Sequence, residues 1–232
     1  MSDIQIKPWV DQSINCLRSW RKRYFIASDY KQDLPLTHKK LDAKIKASFV
    51  FKDDKTTTVI KFEVGSQSLV LKRYNPRSSI HKFKRALRRS RAVRCWEMSH
   101  VFARAGLNVA RPVLMFEDRL GLVCKDTYFA NEFMQGSELL DALPKMTDAE
   151  KSKVVKALKH SLDVMKSFRL SHGDMKATNL LWVNEELYFI DLDAASQHKS
   201  NRGWLRANRR DKKRFLKNWQ SQPELLELFA WL

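Results

Sequence analysis

The feature that most constrains the fold is the segment Ser171–Asp193, in which two short apolar runs follow a polar loop. The runs, LLWV and LYFI, are joined by the turn residues 184–186 and predict two paired strands. Asp174 and Asn179 lie in the loop, and Asp191 directly follows the second run. We therefore expect these three polar side chains at one end of a buried hairpin, where they can face the same cavity.

The chemistry of these three side chains points to a phosphorylated substrate and a metal ion. Carboxylate and amide oxygens are ligands that Mg²⁺ prefers, and Mg²⁺ usually takes only one or two protein carboxylates together with substrate phosphates. Asn179 and Asp191 are therefore predicted metal ligands. Asp174 is then left to orient an attacking hydroxyl or to accept its proton.

The composition is that of a folded chain with one or two domains. The 232 residues are 44% hydrophobic, and domains usually have about 100–200 residues. No apolar run approaches the ~20 residues that a membrane span needs, and the first residues lack the pattern of a secretory signal. We expect a cytoplasmic chain whose three scattered cysteines are reduced thiols.

The formal net charge of +18 predicts an anionic partner, which can be a nucleic acid, a membrane surface or a phosphorylated substrate. The positive charge is concentrated in three clusters, within residues 18–23, 82–94 and 202–217. The second cluster is expected either to bind substrate phosphates or to form a solvated helix face.

The order of predicted elements is strands, a helix, strands, helices, the polar loop, the hairpin and a helical tail. The segments are a short helix within 11–25, strands within 46–74, a helix over 79–105, extended segments within 112–134, a helix from Thr147 and the tail 203–232. Thr147 and Glu150 predict a capping box, and Gly106 predicts a helix C-cap. This order predicts an α+β fold in two lobes, divided into an N-terminal extension 1–42, an N-lobe 43–135 and a C-lobe 136–232.

The polar loop resembles the catalytic loop of protein kinases, His-Arg-Asp-x-x-x-x-Asn, with Gly173 in the place of the arginine. Asp191 comes where kinases have Asp-Phe-Gly, and the run VLK at 70–72 resembles the strand that carries the kinase lysine. Glu97 follows inside the predicted helix. The resemblance implies a reduced two-lobed protein-kinase-like fold, with an antiparallel-sheet N-lobe and a mainly helical C-lobe.

The same resemblance implies further roles in binding ATP. Lys72 would bind the α- and β-phosphates and pair with Glu97, and Lys176 would contact the γ-phosphate. The segment Glu132–Met134 would be the hinge whose backbone binds adenine, although an ordinary strand fits it equally well. Asp193 is expected to be either a second metal ligand or a helix cap, and His172 is expected to support the loop.

Three departures from the kinase pattern are typical of small-molecule and atypical kinases. No glycine-rich loop separates the first strands, where residues 53–57 form the turn instead. No Ala-Pro-Glu motif follows Asp191, so the platform for protein substrates is missing. Gly173 removes the arginine that normally responds to phosphorylation of the activation loop.

Within that group, residues 45–195 are most similar to the lipopolysaccharide core kinases, the family of Kdo and heptose kinases. The family implies transfer of the ATP γ-phosphate to a sugar hydroxyl of the inner core of lipid A–core. The reaction would take place with Mg²⁺ at the cytoplasmic face of the inner membrane, with which the chain would associate peripherally. The positive charge suits this anionic glycolipid.

Other functions stay open at this point. One is a small atypical kinase or ATPase associated with tRNA modification, whose partner would be nucleic acid, but the Asp-Phe-Gly motif usual there is absent. An aminoglycoside-type kinase and a pseudokinase acting as a basic binding module are two more. The residues do not indicate which sugar is used or the oligomeric state.

Overall fold

The computed structural model describes residues 8–75, 89–121 and 123–232. The chain divides into two compact units. The sheet unit comprises Pro8–His100 and Ala110–Phe133, and the helical unit comprises Val101–Val109 and Met134–Leu232. No helix among the described residues is long and apolar enough to cross a membrane.

The sheet unit is built on seven strands in the order β1-β2-β7-β8-β5-β4-β3, and every neighbouring pair is antiparallel. The strands are β1 Ile14–Arg18, β2 Lys22–Ala27, β3 Phe49–Asp53, β4 Thr57–Val64, β5 Gln67–Tyr74, β7 Pro112–Leu120 and β8 Val123–Glu132. The sheet unit also contains two helices, α1, His38–Lys46, and most of α2, Arg91–Arg104. The last residues of α2, from Val101, belong to the helical unit.

One face of this sheet carries the hydrophobic core of the unit. Ile60, Leu69 and Leu71 point to this face and are fully buried, since alternate residues of a strand share a face. The segment before β3 covers them with Tyr30, Leu34 and Leu41, of which the last belongs to α1. Burying several large aliphatic side chains, at roughly 1.5–3 kcal/mol each, ties this segment to the sheet.

The short helix predicted within residues 11–25 is wrong. The chain there forms the hairpin β1–β2, and β2 also pairs with β7 along Lys22–Ile26. The apolar spacing of a short segment fits a helix and a strand about equally well, and pairing with a strand distant in sequence decides between them.

Helix α2 ends at the glycine predicted to cap it. Gly106 has φ +87°, and its N–H donates to the carbonyl of Ala103 at 3.0 Å while the N–H of Leu107 donates to that of Phe102 at 3.0 Å. These two bonds form a Schellman cap, which needs the left-handed conformation that glycine adopts readily. The helix was predicted to begin at residue 79, and residues 79–88 lie outside the described part of the chain.

The helical unit contains a small sheet in the order β6-β12-β11-β9 and a pair β10-β13. The elements are β6 Asn108–Val109, β9 Ser137–Glu138, α3 Leu139–Ala142, α4 Asp148–Ser167, β10 Leu170–Ser171, β11 Leu180–Val183, β12 Glu186–Phe189, β13 Ser196–Gln197, α5 Asn201–Lys217 and α6 Pro223–Glu227. The predicted capping box of α4 is confirmed, with both reciprocal bonds between Thr147 and Glu150 present.

The predicted hairpin β11–β12 is confirmed as well. Asn184 and Glu185 form its two-residue loop and both have positive φ, 48° and 65°, as in the type I′ turn that matches strand twist. In the tail, the rings of Phe215, Trp219 and Phe229 contact one another and are fully buried. These aromatic side chains therefore stabilise the core of the helical unit.

Candidate active site

The loop between β10 and β11 places Asp174 among cationic side chains. Its Oδ2 lies 3.0 Å from Nζ of Lys176, and its Oδ1 lies 3.7 Å from Nε of Arg214 on α5. The side-chain amide of Asn179 donates to the backbone carbonyl of Asp174 at 2.8 Å. The structure thus brings Asp174, Lys176 and Asn179 together, while the catalytic and metal-binding roles predicted for them stay predictions.

Asn179 and Asp191 come from segments that are hydrogen-bonded to each other. The N–H of Ile190 donates to the carbonyl of Asn179 at 3.0 Å. Because the amide nitrogen of Asn179 donates within the loop, its oxygen is the atom that a cation would bind. Asp191 has φ +60° and ψ +51°, a conformation that costs a residue other than glycine of order 1 kcal/mol and is common at functional sites.

The donor set fits the Mg²⁺ ion that the sequence predicts. One carboxylate and one amide oxygen leave the other positions of the ion to water and substrate phosphates, which is how Mg²⁺ is usually bound. Among the described residues no group of three or more His, Cys, Asp and Glu side chains forms a complete metal site. The assignment of Asn179 and Asp191 as metal ligands stays a prediction.

His172 supports the loop from inside the protein. The residue is fully buried, and its Nε2 lies 3.0 Å from the carbonyl of Ile190. Burial lowers the pKa of the imidazole, against the opposing effect of nearby carboxylates, of which Asp211 is the largest. Because Nδ1 accepts from the N–H of Asp174 at 3.4 Å, Nε2 is the nitrogen that donates to the Ile190 carbonyl, so the ring joins the loop to the residue that follows β12.

Asp211 on α5 is a functional residue that the sequence reasoning missed. Its Oδ2 accepts hydrogen bonds from the backbone N–H groups of His172, at 2.8 Å, and Gly173, at 3.2 Å. The residue is only 1% exposed. In the sequence it is a single acid within a basic run, and only its four-residue spacing from each of the apolar residues Ala207 and Phe215 marks it as facing inward.

Gly173 occupies a position that no other residue fits without strain. Its φ is +81°, and a Cβ placed there would lie 2.3 Å from the carbonyl oxygen of Ala194. The glycine therefore replaces the arginine of the kinase loop for a steric reason: the backbone turns tightly against the segment after Asp191.

We expect Gly173→Ala to destabilise the protein by about 2 kcal/mol or more and to impair the loop, because it adds a backbone clash to the left-handed strain of about 1–2 kcal/mol. The matched control is Gly65→Ala, where φ is +58° but a Cβ would meet nothing within 4 Å. Chemical denaturation of both variants measures the difference. Equal losses would contradict the predicted clash.

In the sheet unit, Lys72 lies in a row of side chains that crosses five strands. Direct pairing joins Phe25 to Met115, Met115 to Phe129, Phe129 to Lys72 and Lys72 to Val59. Residues paired in this way share a face.

That face is the one on which α2 packs. The ring of Phe25 stacks on Trp96 of α2 with centroids 5.9 Å apart. Lys72 therefore points to the α2 side of the sheet, opposite the hydrophobic core. The carboxylate of Glu97, also on α2, lies 2.6 Å from Nη1 of Arg89, and the pair Lys72–Glu97 stays a prediction.

The predicted hinge segment begins as the end of β8. The carboxylate of Glu132 accepts hydrogen bonds from the hydroxyl of Tyr30, at 3.2 Å, and from the guanidinium of Arg111, at 3.1 Å. The backbone N–H of Glu132 donates to the carbonyl of Arg111. The next N–H, of Phe133, donates to the carbonyl of Ser68 at 2.9 Å. The roles of Glu132 and Met134 in binding adenine stay predictions, and the carboxylate of Glu132 has a structural task.

The turn between β3 and β4 shows what stands in place of the glycine-rich loop. Oδ1 of Asp54 accepts from the N–H groups of Thr56, at 2.6 Å, and Thr57, at 2.8 Å. The hydroxyl of Thr56, which also donates to Oδ1, is the largest cause that holds the pKa of the Asp54 carboxyl far below its usual range, and Lys52 and the two amides act in the same direction. A side-chain carboxylate thus binds the two backbone amides of this turn.

The sequence matches one family model over residues 43–228, and that model describes the lipopolysaccharide kinase (Kdo/WaaP) family. The chain belongs to this family. No curated protein matches the sequence. A solved structure of WaaP in complex with acyl carrier protein matches this chain with a TM-score of 0.57 and 18% identity, covering 90% of this chain and 95% of the other.

Membership of the lipopolysaccharide kinase family confirms the recognition made from the catalytic loop. It also makes the protein a phosphotransferase of lipopolysaccharide biosynthesis at the level of the family. The structural match confirms the kinase-like α+β fold, with its antiparallel sheet and helices. The domain limits at residues 42 and 135 and the individual site roles in this lipopolysaccharide kinase stay predictions.

Proposed function

We propose that the protein transfers the γ-phosphate of ATP to a sugar hydroxyl, on Kdo or heptose, of the inner core of lipid A–core. The proposal rests on the geometry of the loop, in which the carboxylate of Asp174 contacts the ammonium group of Lys176. The side-chain amide of Asn179 binds the backbone carbonyl of Asp174 in the same loop. An acid that can accept a proton, a cation for the transferred group and an amide ligand for a metal are the parts that phosphoryl transfer requires.

Each residue then has one task. Asp174 accepts the hydrogen bond of the attacking hydroxyl and takes its proton as the new bond forms between the hydroxyl oxygen and the γ-phosphorus. The bond between that phosphorus and the β,γ-bridging oxygen breaks, and ADP leaves. Lys176 neutralises charge on the transferred group. Asn179 and Asp191 would hold Mg²⁺, which neutralises charge on the phosphates when it is bound.

The nucleotide would be bound by residues of the sheet unit and by the segment that follows it. Lys72 would contact the α- and β-phosphates, and Glu97 would orient it once the carboxylate is released from Arg89. Adenine would bind the backbone of the segment from Glu132 to Met134. What supports Lys72 in this role is its position on the α2 side of the sheet, away from the hydrophobic core.

Transfer of radiolabelled phosphate from ATP to purified lipid A–core, with Mg²⁺ and with excess chelator, tests the function. We expect labelled glycolipid only in the presence of Mg²⁺ and protein. Nucleotide binding without transfer to any glycolipid would overturn the proposed function and favour a binding module. Stimulation of ATP hydrolysis by tRNA in place of lipid A–core would favour the tRNA-associated reading.

We further propose that the protein associates peripherally with an anionic bilayer, at the cytoplasmic face of the inner membrane, through its hairpin-tip surface. This surface comprises Arg18, Trp20, Arg21 and Leu120, at adjoining tips of the β1–β2 and β7–β8 hairpins. The N–H of Gly121 donates to the carbonyl of Trp20 at 3.0 Å. Trp20 is 71% exposed and Leu120 is 56% exposed.

An exposed tryptophan and leucine beside exposed arginines are complementary to a negatively charged lipid–water interface. Tryptophan prefers that interface, and each basic side chain near an anionic surface contributes about 1 kcal/mol. The net charge of +18 acts in the same direction.

We expect Trp20→Ala to weaken binding to vesicles of anionic phospholipid about ten- to hundredfold, since burial of one large apolar side chain is worth ~1.5–3 kcal/mol. Co-sedimentation with vesicles at constant ionic strength measures it. The control is Trp231→Ala, a partly exposed tryptophan of the tail, 37% exposed, which should leave binding unchanged. Equal binding by wild type and Trp20→Ala would exclude this surface.

A further inference from the structure

Arg91, the first residue of α2, contacts two side chains of the sheet. Its Nη1 donates to the hydroxyl of Thr57 at 3.2 Å, and its guanidinium lies 4.5 Å from the centre of the Tyr74 ring. Thr57 and Tyr74 are buried, with 6% and 5% exposure, whereas Arg91 is half-buried. The guanidinium is therefore held by two buried partners, while the residue keeps part of its surface in solvent.

The start of α2 fixes the backbone of Arg91 as well. The hydroxyl of Ser90 accepts from the N–H of Val93 at 3.2 Å, and the N–H of Arg94 donates to the carbonyl of Ser90 at 3.1 Å. These two bonds are those of a helix N-cap. Because both its backbone and its guanidinium are already held in place, Arg91 would lose little conformational freedom on binding a ligand.

The register of the sheet shows where Arg91 lies relative to Lys72. The predicted hinge begins at Glu132, which pairs with Leu69 of β5. Lys72 and Tyr74 follow on the same strand as alternate residues, so they share the α2 face of the sheet and are separated by about 7 Å along the strand. Since Arg91 lies on the ring of Tyr74, the order along β5 is the hinge, then Lys72, then Arg91.

We propose that the guanidinium of Arg91 binds oxygens of the β- and γ-phosphates of ATP. The inference rests on the proposed function, in which adenine binds the hinge backbone and Lys72 binds the α- and β-phosphates. A cation one step further along β5 then meets the end of the triphosphate. Arginine suits this task, because its planar guanidinium carries five N–H donors and can bind two phosphate oxygens at once.

The turn between β3 and β4 gives a reason for a cation at this position. In protein kinases a glycine-rich loop between the first strands covers the phosphates, whereas here the N–H groups of Thr56 and Thr57 donate to Asp54. The charge of Asp54 is paired with Lys52 at 2.9 Å. Arg91 contacts the end of this turn through the hydroxyl of Thr57, so α2 supplies positive charge where the backbone amides are bound to a carboxylate.

Calorimetric titration with a non-hydrolysable ATP analogue and with AMP, both in the presence of Mg²⁺, tests the proposal without an acceptor. We expect Arg91→Gln to weaken binding of the ATP analogue about ten- to hundredfold, the usual worth of a hydrogen bond to a charged group. Binding of AMP, which lacks the β- and γ-phosphates, should change less than about threefold. Arg104→Gln removes the same charge from the exposed last residue of α2 and should leave both affinities at wild-type values.

Thr57→Val separates phosphate binding from a structural role of Arg91. The substitution removes the hydroxyl that accepts from Arg91 but keeps the positive charge of the guanidinium. If Arg91 served only to hold Thr57, both variants would weaken binding of the ATP analogue equally. We expect Thr57→Val to bind the analogue within about threefold of the wild type. The thermal midpoint of each variant checks that the protein is folded.

The role of Arg91 is overturned if Arg91→Gln binds the ATP analogue as tightly as the wild type, or if its losses for AMP and for the ATP analogue are equal. An equal loss in Thr57→Val would overturn it as well. Failure of the proposed function gives a different result, in which the wild-type protein binds the ATP analogue but transfers no phosphate to lipid A–core. In that case the binding test still decides whether Arg91 binds phosphate. A wild-type protein that binds neither nucleotide would overturn both.

Discussion

Replacing Asp174 by asparagine is expected to slow phosphate transfer to lipid A–core by about 10²–10⁴-fold, the range that a general acid–base group contributes. Asparagine has almost the same shape but cannot accept a proton. It would also lose the ion pair with Lys176, at 3.0 Å, which lies on the surface and contributes little to stability. The loss should therefore appear in kcat and leave the fold unchanged.

The structure gives a reason to expect the loop to survive this change. Asn179 binds the backbone carbonyl of Asp174, not only its carboxylate, and the N–H of Lys176 donates to the same carbonyl at 2.9 Å. Both contacts persist in Asp174→Asn. ATP affinity measured by calorimetry and the thermal midpoint should thus stay close to those of the wild type.

The matched control is Asp163→Asn, which makes the same replacement at an exposed position of α4. Its transfer rate should equal that of the wild type. Transfer by Asp174→Asn at the wild-type rate would show that this carboxylate neither orients the hydroxyl nor takes its proton. A comparable loss in Asp163→Asn would show instead that the assay responds to general damage.

Asp211→Ala is expected to lower the free energy of unfolding by about 3 kcal/mol and to abolish most of the transfer activity. The substitution leaves the buried N–H groups of His172 and Gly173 without their acceptor, and each such loss costs roughly 1–3 kcal/mol. The loop that carries Asp174 would then lose its two buried hydrogen bonds to α5. Denaturant unfolding followed by tryptophan fluorescence measures the first effect, and the transfer assay measures the second.

A graded series separates the role of the acceptor from that of the charge. Asp211→Asn keeps an oxygen that can accept from both N–H groups, so it should be less destabilising than Asp211→Ala. Asp163→Ala supplies the exposed control. Equal stability of the Asp211→Ala and wild-type proteins would contradict the view that α5 supports the catalytic loop.

The sequence predicted those features whose contacts join residues close together in the chain. The Asp174–Asn179 loop, the hairpin that leads to Asp191 and the caps at Thr147 and Gly106 all depend on residues within about six positions of one another. In such cases turn and capping preferences are strong enough to be read directly.

Contacts between distant segments were not predictable in the same way. The β1–β2 hairpin was predicted as a helix, because its pairing partner β7 lies about a hundred residues away and tertiary contacts override local preference. Asp211 was missed because its partners, His172 and Gly173, belong to another segment. It is surrounded by basic residues in the sequence, and no property of the residue alone indicates a buried acceptor.

The cover of the sheet limits how far this chain can be shortened before the matched strands. The family model begins its match at residue 43, whereas Tyr30, Leu34 and Leu41 pack on Ile60 and Leu71 within one core. A chain cut at the start of the match would leave that face of the sheet in water. A fragment limited to the matched residues would therefore lack side chains that bury its own sheet, so the sheet depends on residues that the family model leaves out.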